Sequence, residues 1–460
     1  MNLNSNTSKR PTGMVGLTIV LVGQVISILA STMTSFSFSI WIFERTSSAT
    51  VLGIMTTAFT VPYLIFIPIA GVLVDRYDRK MMMMISDLAA GLGTVTILVL
   101  FSLNALEVWH FYVVNAVVGI GSAFQWPAYS AAIATMVPKA QYGRANGMMS
   151  VVQSAPGIIG PMLAGAMLPL IGMQGIMLVD VITFILAIGA LMMVFVPPPV
   201  RTKEGEESKG NLLKEASAGF SYIFKRPSLL GFVFMLLFAN FFMGFANAVF
   251  VPLVLSRTSN NSMVLGTIET VASISLVVGS LVMGAWGGFK NRIQGVIWGW
   301  ASYCLFGCVM VGFGYDLRVW IPAMLFAGLG PSIGNAHSQA LLQAKVAPDL
   351  QGRVFSARRL LTWAPDAITP VIGGLLADRI MEPAMTGQGW FSTAFGWMVG
   401  NTTGSGMAFI SILSGLLTMA MLIGGLFFPA VRNIETLLPD HDQLERADGS
   451  IPVQEVSVEG

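Results

Sequence analysis

Four carboxylates stand inside stretches that are otherwise almost wholly apolar: Asp87, Asp180, Glu269 and Asp366. A charged side chain in a membrane-spanning helix costs about 2.5–3.5 kcal/mol on insertion scales, so each needs a function or a dedicated partner. Asp366 follows Pro365, and Thr362, Thr369 and Gly373 continue its helical face. Glu269 sits on another helix above Ser273 and Ser280. These two are the expected proton-exchanging groups, because a carboxyl whose exposure changes can load a proton on one side and release it on the other. The plainer alternatives are a structurally paired Asp366 and a Glu269 that serves only as an outer gate or salt-bridge partner. Asp180 is expected to be structural, and Asp87 to join a charge cluster with Arg144. His337 lies about 200° around its helix from Asn335, so the two cannot face one cavity.

Uncharged polar residues also fall at helical spacing. Gln24, Ser27, Ser31 and Ser35 form one stripe, and Asn115, Gly119, Ser122 and Trp126 another. Further along come Asn240, Gly244 and Asn247, then Gly328, Ser332, Asn335 and Gln339. Such stripes either line a polar path or serve as glue between helices, at about 0.6 kcal/mol per hydrogen bond. Gly328-x-Gly330 and Gly119-x-Gly121 lie within apolar helices with no strand beside them, so they read as helix packing, not nucleotide binding. No Walker sequence, metal-ligand spacing or catalytic constellation is present, and neither an enzyme nor a cofactor is expected.

The elements that must position these residues are membrane spans. The 460 residues are 54% hydrophobic and only 10% charged, against about 25% charged in soluble domains. Twelve spans are expected, near 14–41, 50–74, 82–103, 108–136, 147–171, 174–196, 228–254, 264–288, 294–314, 319–344, 356–378 and 406–428. Of the basic residues, 21 fall on the side of the N-terminus and four (Arg45, Arg257, Arg318, Arg379) on the other, which puts both termini in the cytoplasm. The expected organisation is a six-helix bundle over 1–196, a cytoplasmic linker over 197–227, a second bundle over 228–428 and a tail over 429–460. Apolar residues from Leu212 to Phe224 suggest that the linker ends in an amphipathic helix on the membrane surface. Cys304 and Cys308, four apart, read as buried or lipid-facing thiols. No signal peptide is expected, and the segment 386–406 has no account at this stage.

The two bundles are copies. Gly143-Arg144 becomes Gly352-Arg353, Ala155-Pro156 becomes Ala364-Pro365, Pro161 becomes Pro370 and Gly165 becomes Gly374, all at an offset of 209. Pro156 and Gly160-Pro161, paired with Pro365 and Pro370, are expected to kink the fifth and eleventh spans alike.

Gly71-Val72-Leu73-Val74-Asp75-Arg76-Tyr77-Asp78-Arg79-Lys80 joins the second and third spans, and G-x-L-x-D-R-x-x-R-K resembles the loop signature of the major facilitator superfamily. Gly160-Pro161-Met162-Leu163-Ala164-Gly165 is similar to the Gly-Pro motif of its antiporter branches. The run Gly119 to Tyr129 and the string Gly219-Phe220-Ser221-Tyr222…Arg226-Pro227 look like the macrolide-efflux and enterobactin-exporter branch. Many drug–proton antiporters carry an arginine where this chain has Asn115, so their proton scheme does not transfer. In the second copy the loop is degraded: Gly284 and Arg292 remain, with Gly288 in place of Asp75.

The resemblance implies an all-α integral membrane protein with twelve transmembrane helices in two pseudo-symmetric six-helix bundles. It implies that the first and fourth spans of each bundle, which bear the four stripes, line a central cavity. Gly71, Asp75, Arg76, Arg79 and Arg144 would form the cytoplasmic gate. The expected activity is alternating-access export of a small amphipathic molecule, such as a macrolide or a siderophore, coupled to proton influx. The expected setting is the inner membrane, as a monomer with no nucleic-acid partner. A lipid flippase or importer on the same scaffold is the first rival; a receptor or scaffold that transports nothing is the second.

Overall fold

A computed structural model describes residues 11–138, 141–197, 219–346 and 348–438. Most of the linker 197–227, the end of the tail, and the side chains of Gly71, Asp75, Arg76 and Gly143 lie outside this set. So does the part of the expected surface helix before residue 219; residues 219–224 are helical.

A span in lipid must satisfy its own backbone hydrogen bonds, and these apolar stretches do so as helices. Ten stretches among the described residues are long and apolar enough to cross a bilayer. One of them belongs to a continuous element, Tyr142–Met193, which folds at Gly172 (φ 66°) into the fifth and sixth spans. That left-handed backbone favours glycine. With this division and the further helix Val108–Met136, the described residues contain twelve helical segments at the positions expected for spans. The others are Gly13–Thr46, Ala49–Arg76, Arg79–Ser102, Pro227–Arg257, Ser262–Trp286, Arg292–Phe313, Leu317–Lys345, Val354–Thr386 and Ser405–Phe427.

Short polar residues start several spans by accepting hydrogen bonds from free backbone amides. Ser48 accepts from Val51 N, Asp78 from Met81 N, Asn261 from Met263 N and Val264 N, and Asp316 from Arg318 N. Glu435, beyond the last span, returns to the start of the ninth and accepts from Arg292 N (2.6 Å) and Ile293 N (3.2 Å).

The two ends of the bundle differ. At the end that bears Ser48, one apolar cluster runs through both halves, joining Phe36, Leu52 and Ala164 to Leu253, Ile268 and Trp320. At the end that bears Asp78 there are two clusters. One, around Leu17, Tyr129 and Met149, belongs to the first half; the other, around Phe232, Ile297 and Leu341, belongs to the second.

The segment 386–406 contains a ten-residue helix, Trp390–Val399, at the Ser48 end. Phe391 and Phe395 pack on Phe409 of the twelfth span, and Arg257 donates to Val399 O (3.0 Å). Trp390 and Trp397, seven residues apart, are on the open face at 76% and 82% exposure. Indole rings on such a face suit the headgroup level of a bilayer.

The paired prolines sit in different backbone. The fifth span keeps helical backbone through Pro156, Gly160 and Pro161. The eleventh breaks into a 3₁₀ turn at Ala364–Ala367 before resuming at Thr369. Thr369 Oγ1 donates back to Pro365 O (3.0 Å), and the turn carries Asp366. Both cysteines are buried free thiols within a π-helical turn of the ninth span, Cys304–Met310.

Candidate functional site

Besides a cavity of about 740 Å³ at the Ser48 end, lined by Trp41, Glu44 and Phe101 of the first half and residues 258–262 of the second, three chambers among the described residues lie between and within the halves. The first, about 560 Å³, is lined by Ser35, Thr56, Asn115, Asn247, Asp366 and Thr369, and so draws on both halves. The second, about 660 Å³, lies toward the Asp78 end and is walled by Tyr63, Ser122, Trp126 and Gln153 opposite Arg359 and Trp363. The third, about 340 Å³, lies inside the first half and includes Ser27, Ser31 and Asp87. Phe59 borders all three, and Gln24, Ser122 and Gln125 border the latter two.

The stripes divide when placed in space. Gln24, Ser27, Ser31, Asn115, Ser122, Trp126 and Asn247 line chambers. Asn240 instead donates to Thr362 O (2.9 Å), tying the seventh span to the eleventh. Ser332 is buried and donates to Leu276 O (2.7 Å), tying the tenth to the eighth. Asn335 and Gln339 are exposed and border none of these chambers. His337 is buried, with Nε2 accepting from Phe289 N (2.8 Å), a link between a loop and the tenth span.

Among the carboxylates, Asp366 is half-buried beside the first chamber with no hydrogen-bond partner among the described residues. Glu269 is half-buried and likewise unpartnered. It stands three residues after Gly266, which packs on Pro161, and four before Ser273, whose Oγ donates to Gly157 O (3.0 Å). That places Glu269 on the contact between the eighth span and the fifth. Asp180 accepts from Ser31 (2.8 Å) and Thr94 (2.8 Å), joining the first, third and sixth spans as a structural group.

Asp87 differs from expectation. It is not paired with Arg144, which is exposed; its Oδ1 accepts from Gln24 Nε2 (3.1 Å) and Gln125 Nε2 (3.4 Å). The helical step from Arg79 carries Asp87 two turns into the third span, away from the charged loop and onto the faces of the first and fourth. The signal was available: Gln125 and Tyr129 are one turn apart on a span that also carries Ser122.

Asp378 was not singled out, yet it joins the halves. It accepts from Ala49 N (3.0 Å), Thr50 N (2.9 Å) and the hydroxyls of Ser48 (2.5 Å) and Thr50 (2.7 Å), so a carboxylate of the eleventh span caps the second. Beside it a side-chain carbon on Gly374 would collide with the backbone at Thr50, and one on Gly53 with Pro370 O. Gly165 and Gly266 meet in the same way between the fifth and eighth spans, where Ser262 Oγ donates to Gly165 O (3.3 Å).

At the gate loop, Lys80 Nζ donates to Met192 O (3.0 Å) and Val194 O (2.8 Å), neutralising the carbonyl end of the sixth span. Arg79 is half-buried, and the side chains of Gly71, Asp75 and Arg76 lie outside the described residues.

The comparisons with known proteins agree with this architecture. The chain is 27% identical over 370 residues to macrolide efflux protein A of Streptococcus pyogenes, covering 78% of this chain and 89% of that protein. It is 24% identical to the multidrug efflux pump Tap of Mycolicibacterium fortuitum, over 81% of this chain and 91% of the pump. Its fold is similar to an inward-facing, unoccupied structure of a bacterial homolog of the human lysosomal transporter Spinster (TM-score 0.69, 16% identity, 93% of this chain and 98% of that one). The family model described as Major Facilitator Superfamily matches residues 20–370. A twofold helical array around shared chambers and a family match over most of the chain lead to one assignment: this multi-pass membrane protein belongs to the Major Facilitator Superfamily of transporters.

Proposed function

We propose that the protein exports small amphipathic, drug-like molecules, macrolides among the candidates, by alternating access coupled to proton influx. The observation that carries this reading is the chamber shared by Asn115, Asn247 and Asp366. One apolar cluster spans both halves at the Ser48 end and, among the described residues, each half has its own at the Asp78 end, which we read as a seam shut at the first and parted at the second. The similarity to a macrolide efflux protein and a multidrug efflux pump supports the cargo and direction.

In this reading both termini are cytoplasmic, the Asp78 end faces the cytoplasm, and the units 1–196 and 228–428 rock about the chambers. Cargo enters from the parted end. Release outward needs Asp378 to let go of the second span and the glycine contacts to separate, while the loop of Asp75, Arg76 and Arg79 closes the opposite mouth. Asp366, beside the chamber shared by the two halves, and Glu269, on the moving contact, are the carboxyls whose surroundings change most in such a movement. A proton taken up outside and released inside on one of them would couple the steps.

The test has two arms. Expression in a pump-deficient host should raise macrolide resistance, and an imposed pH gradient should drive uptake into proteoliposomes with inverted protein. Uptake that ignores the gradient would remove the coupling; no resistance to any macrolide would remove the cargo class.

A further inference from the structure

We infer that Asp87 is the binding carboxylate for a single ammonium group on the transported molecule, held in the chamber inside the first half. This rests on the exporter reading above and adds the chemical class of the cargo.

Asp87 is 7% exposed. One of its oxygens is held by the side-chain amides of Gln24 and Gln125, while Oδ2 has no hydrogen-bond partner. Gln24 cannot turn to release it, because its own carbonyl already accepts from Tyr129 OH (2.6 Å). The carboxylate is therefore held in one orientation on the chamber wall, with one buried acceptor oxygen left without a partner. No lysine, arginine or histidine is among the residues that line this chamber. Two neutral amides orient a carboxylate but do not balance its charge, and a buried unbalanced charge costs several kcal/mol. An ammonium group supplies both the missing charge and the missing donor.

The second half supplies an internal comparison. At the loop offset of 213, which relates Gly71 and Arg79 to Gly284 and Arg292, Asp87 corresponds to Trp300. At the fourth-span offset of 209, Gln125 corresponds to Gly334. Trp300 packs directly on Gly334, where an added side-chain carbon would lie 2.7 Å from the indole. One copy fills this position with a ring; the other keeps it polar and open. Next to the open one, Tyr63, Trp126 and Trp363 wall the neighbouring chamber and give an apolar body flat faces to lie on. At its far side the Arg359 guanidinium lies over the Trp363 ring at 4.1 Å, which opposes a second positive group. The ligand described is thus an amphiphile with one amine.

The experiment measures binding calorimetrically to the full-length protein in nanodiscs, using two unrelated amines, erythromycin and propranolol. Each is paired with a neutral derivative whose nitrogen is acylated, after N-demethylation for erythromycin. Wild type should hold at least one amine about tenfold or more above its neutral partner, the size of one charged hydrogen bond. Asp87→Asn should abolish that preference while changing the neutral partner's affinity less than twofold, and Asp87→Glu should retain part of it. Equal weakening of amine and neutral ligand by Asp87→Asn, an unchanged preference, or no preference in wild type overturns the inference. The exporter reading stands or falls separately on resistance and uptake of the neutral derivatives.

Discussion

The Ser48 end and the Asp78 end are built from the same duplicated unit and do opposite things. At the first, apolar packing is continuous from half to half, glycines let the second and eleventh spans touch backbone to backbone, and Asp378 caps across the boundary. At the second, among the described residues, each half has its own apolar cluster, and Lys80 on the sixth span and Glu435 on the ninth bond within their own halves. The difference teaches where the conformational free energy resides. If the halves rock as proposed, both ends cannot stay welded, and among the described residues Asp378 and the glycine contacts at the Ser48 end are bonds that would have to break.

The largest effect is expected from a change that prevents the welded end from closing. Gly374→Leu forces a side chain into the backbone at Thr50, and overpacking of this kind costs about 1–3 kcal/mol or more. Transport should fall at least tenfold, and a cysteine placed beside Gly53 should become reactive to an impermeant thiol reagent. A variant that stays closed and active would mean that this contact is not the seam.

Asp378→Ala comes next. It removes the cap yet leaves the packing, so the protein should shift toward the state open at the Ser48 end by about tenfold, within the range of one or two charged hydrogen bonds. Distance measurements between spin labels at the ends of the second and eleventh spans would register the change. Asp378→Asn, which can still accept, should give an intermediate shift; equality with Ala would argue against capping as the cause.

The smallest effect separates the two prolines that the sequence pairs. Pro365→Ala alters the one observed break and should slow turnover several-fold, whereas Pro156→Ala lies in continuous helix and should stay within about twofold. Uptake rates at saturating cargo decide it, and equal slowing would restore the symmetry of the two kinks.

Much of the fold was legible because lipid imposes it. Long apolar runs must be helices, their basic flanks bias the topology, and a constant offset betrays duplication whatever the packing. Seven of the eleven residues nominated for a cavity fall on chamber walls, since stripes at helical spacing share a face. What could not be read was which partner a face meets. Asn240 belongs to the same stripe as Asn247, yet it bonds to the eleventh span and lines none of the three chambers, and Ser332 likewise bonds to the eighth, because a few degrees of helix rotation decide between cavity and contact.

The chain by itself determined twelve apolar segments, two copies of one unit, a charged turn of known type and a short list of carboxylates too costly to be idle. Only the tertiary structure decided which carboxylates are spent and which are free. Asp180 is tied into three spans, Asp378 clasps the two halves, and Asp87 is held by amides with one buried oxygen left without a partner. The reason is that spacing along one helix fixes direction about that helix's own axis, whereas hydrogen bonding and electrostatics depend on what the adjacent helices bring to the same depth of the membrane.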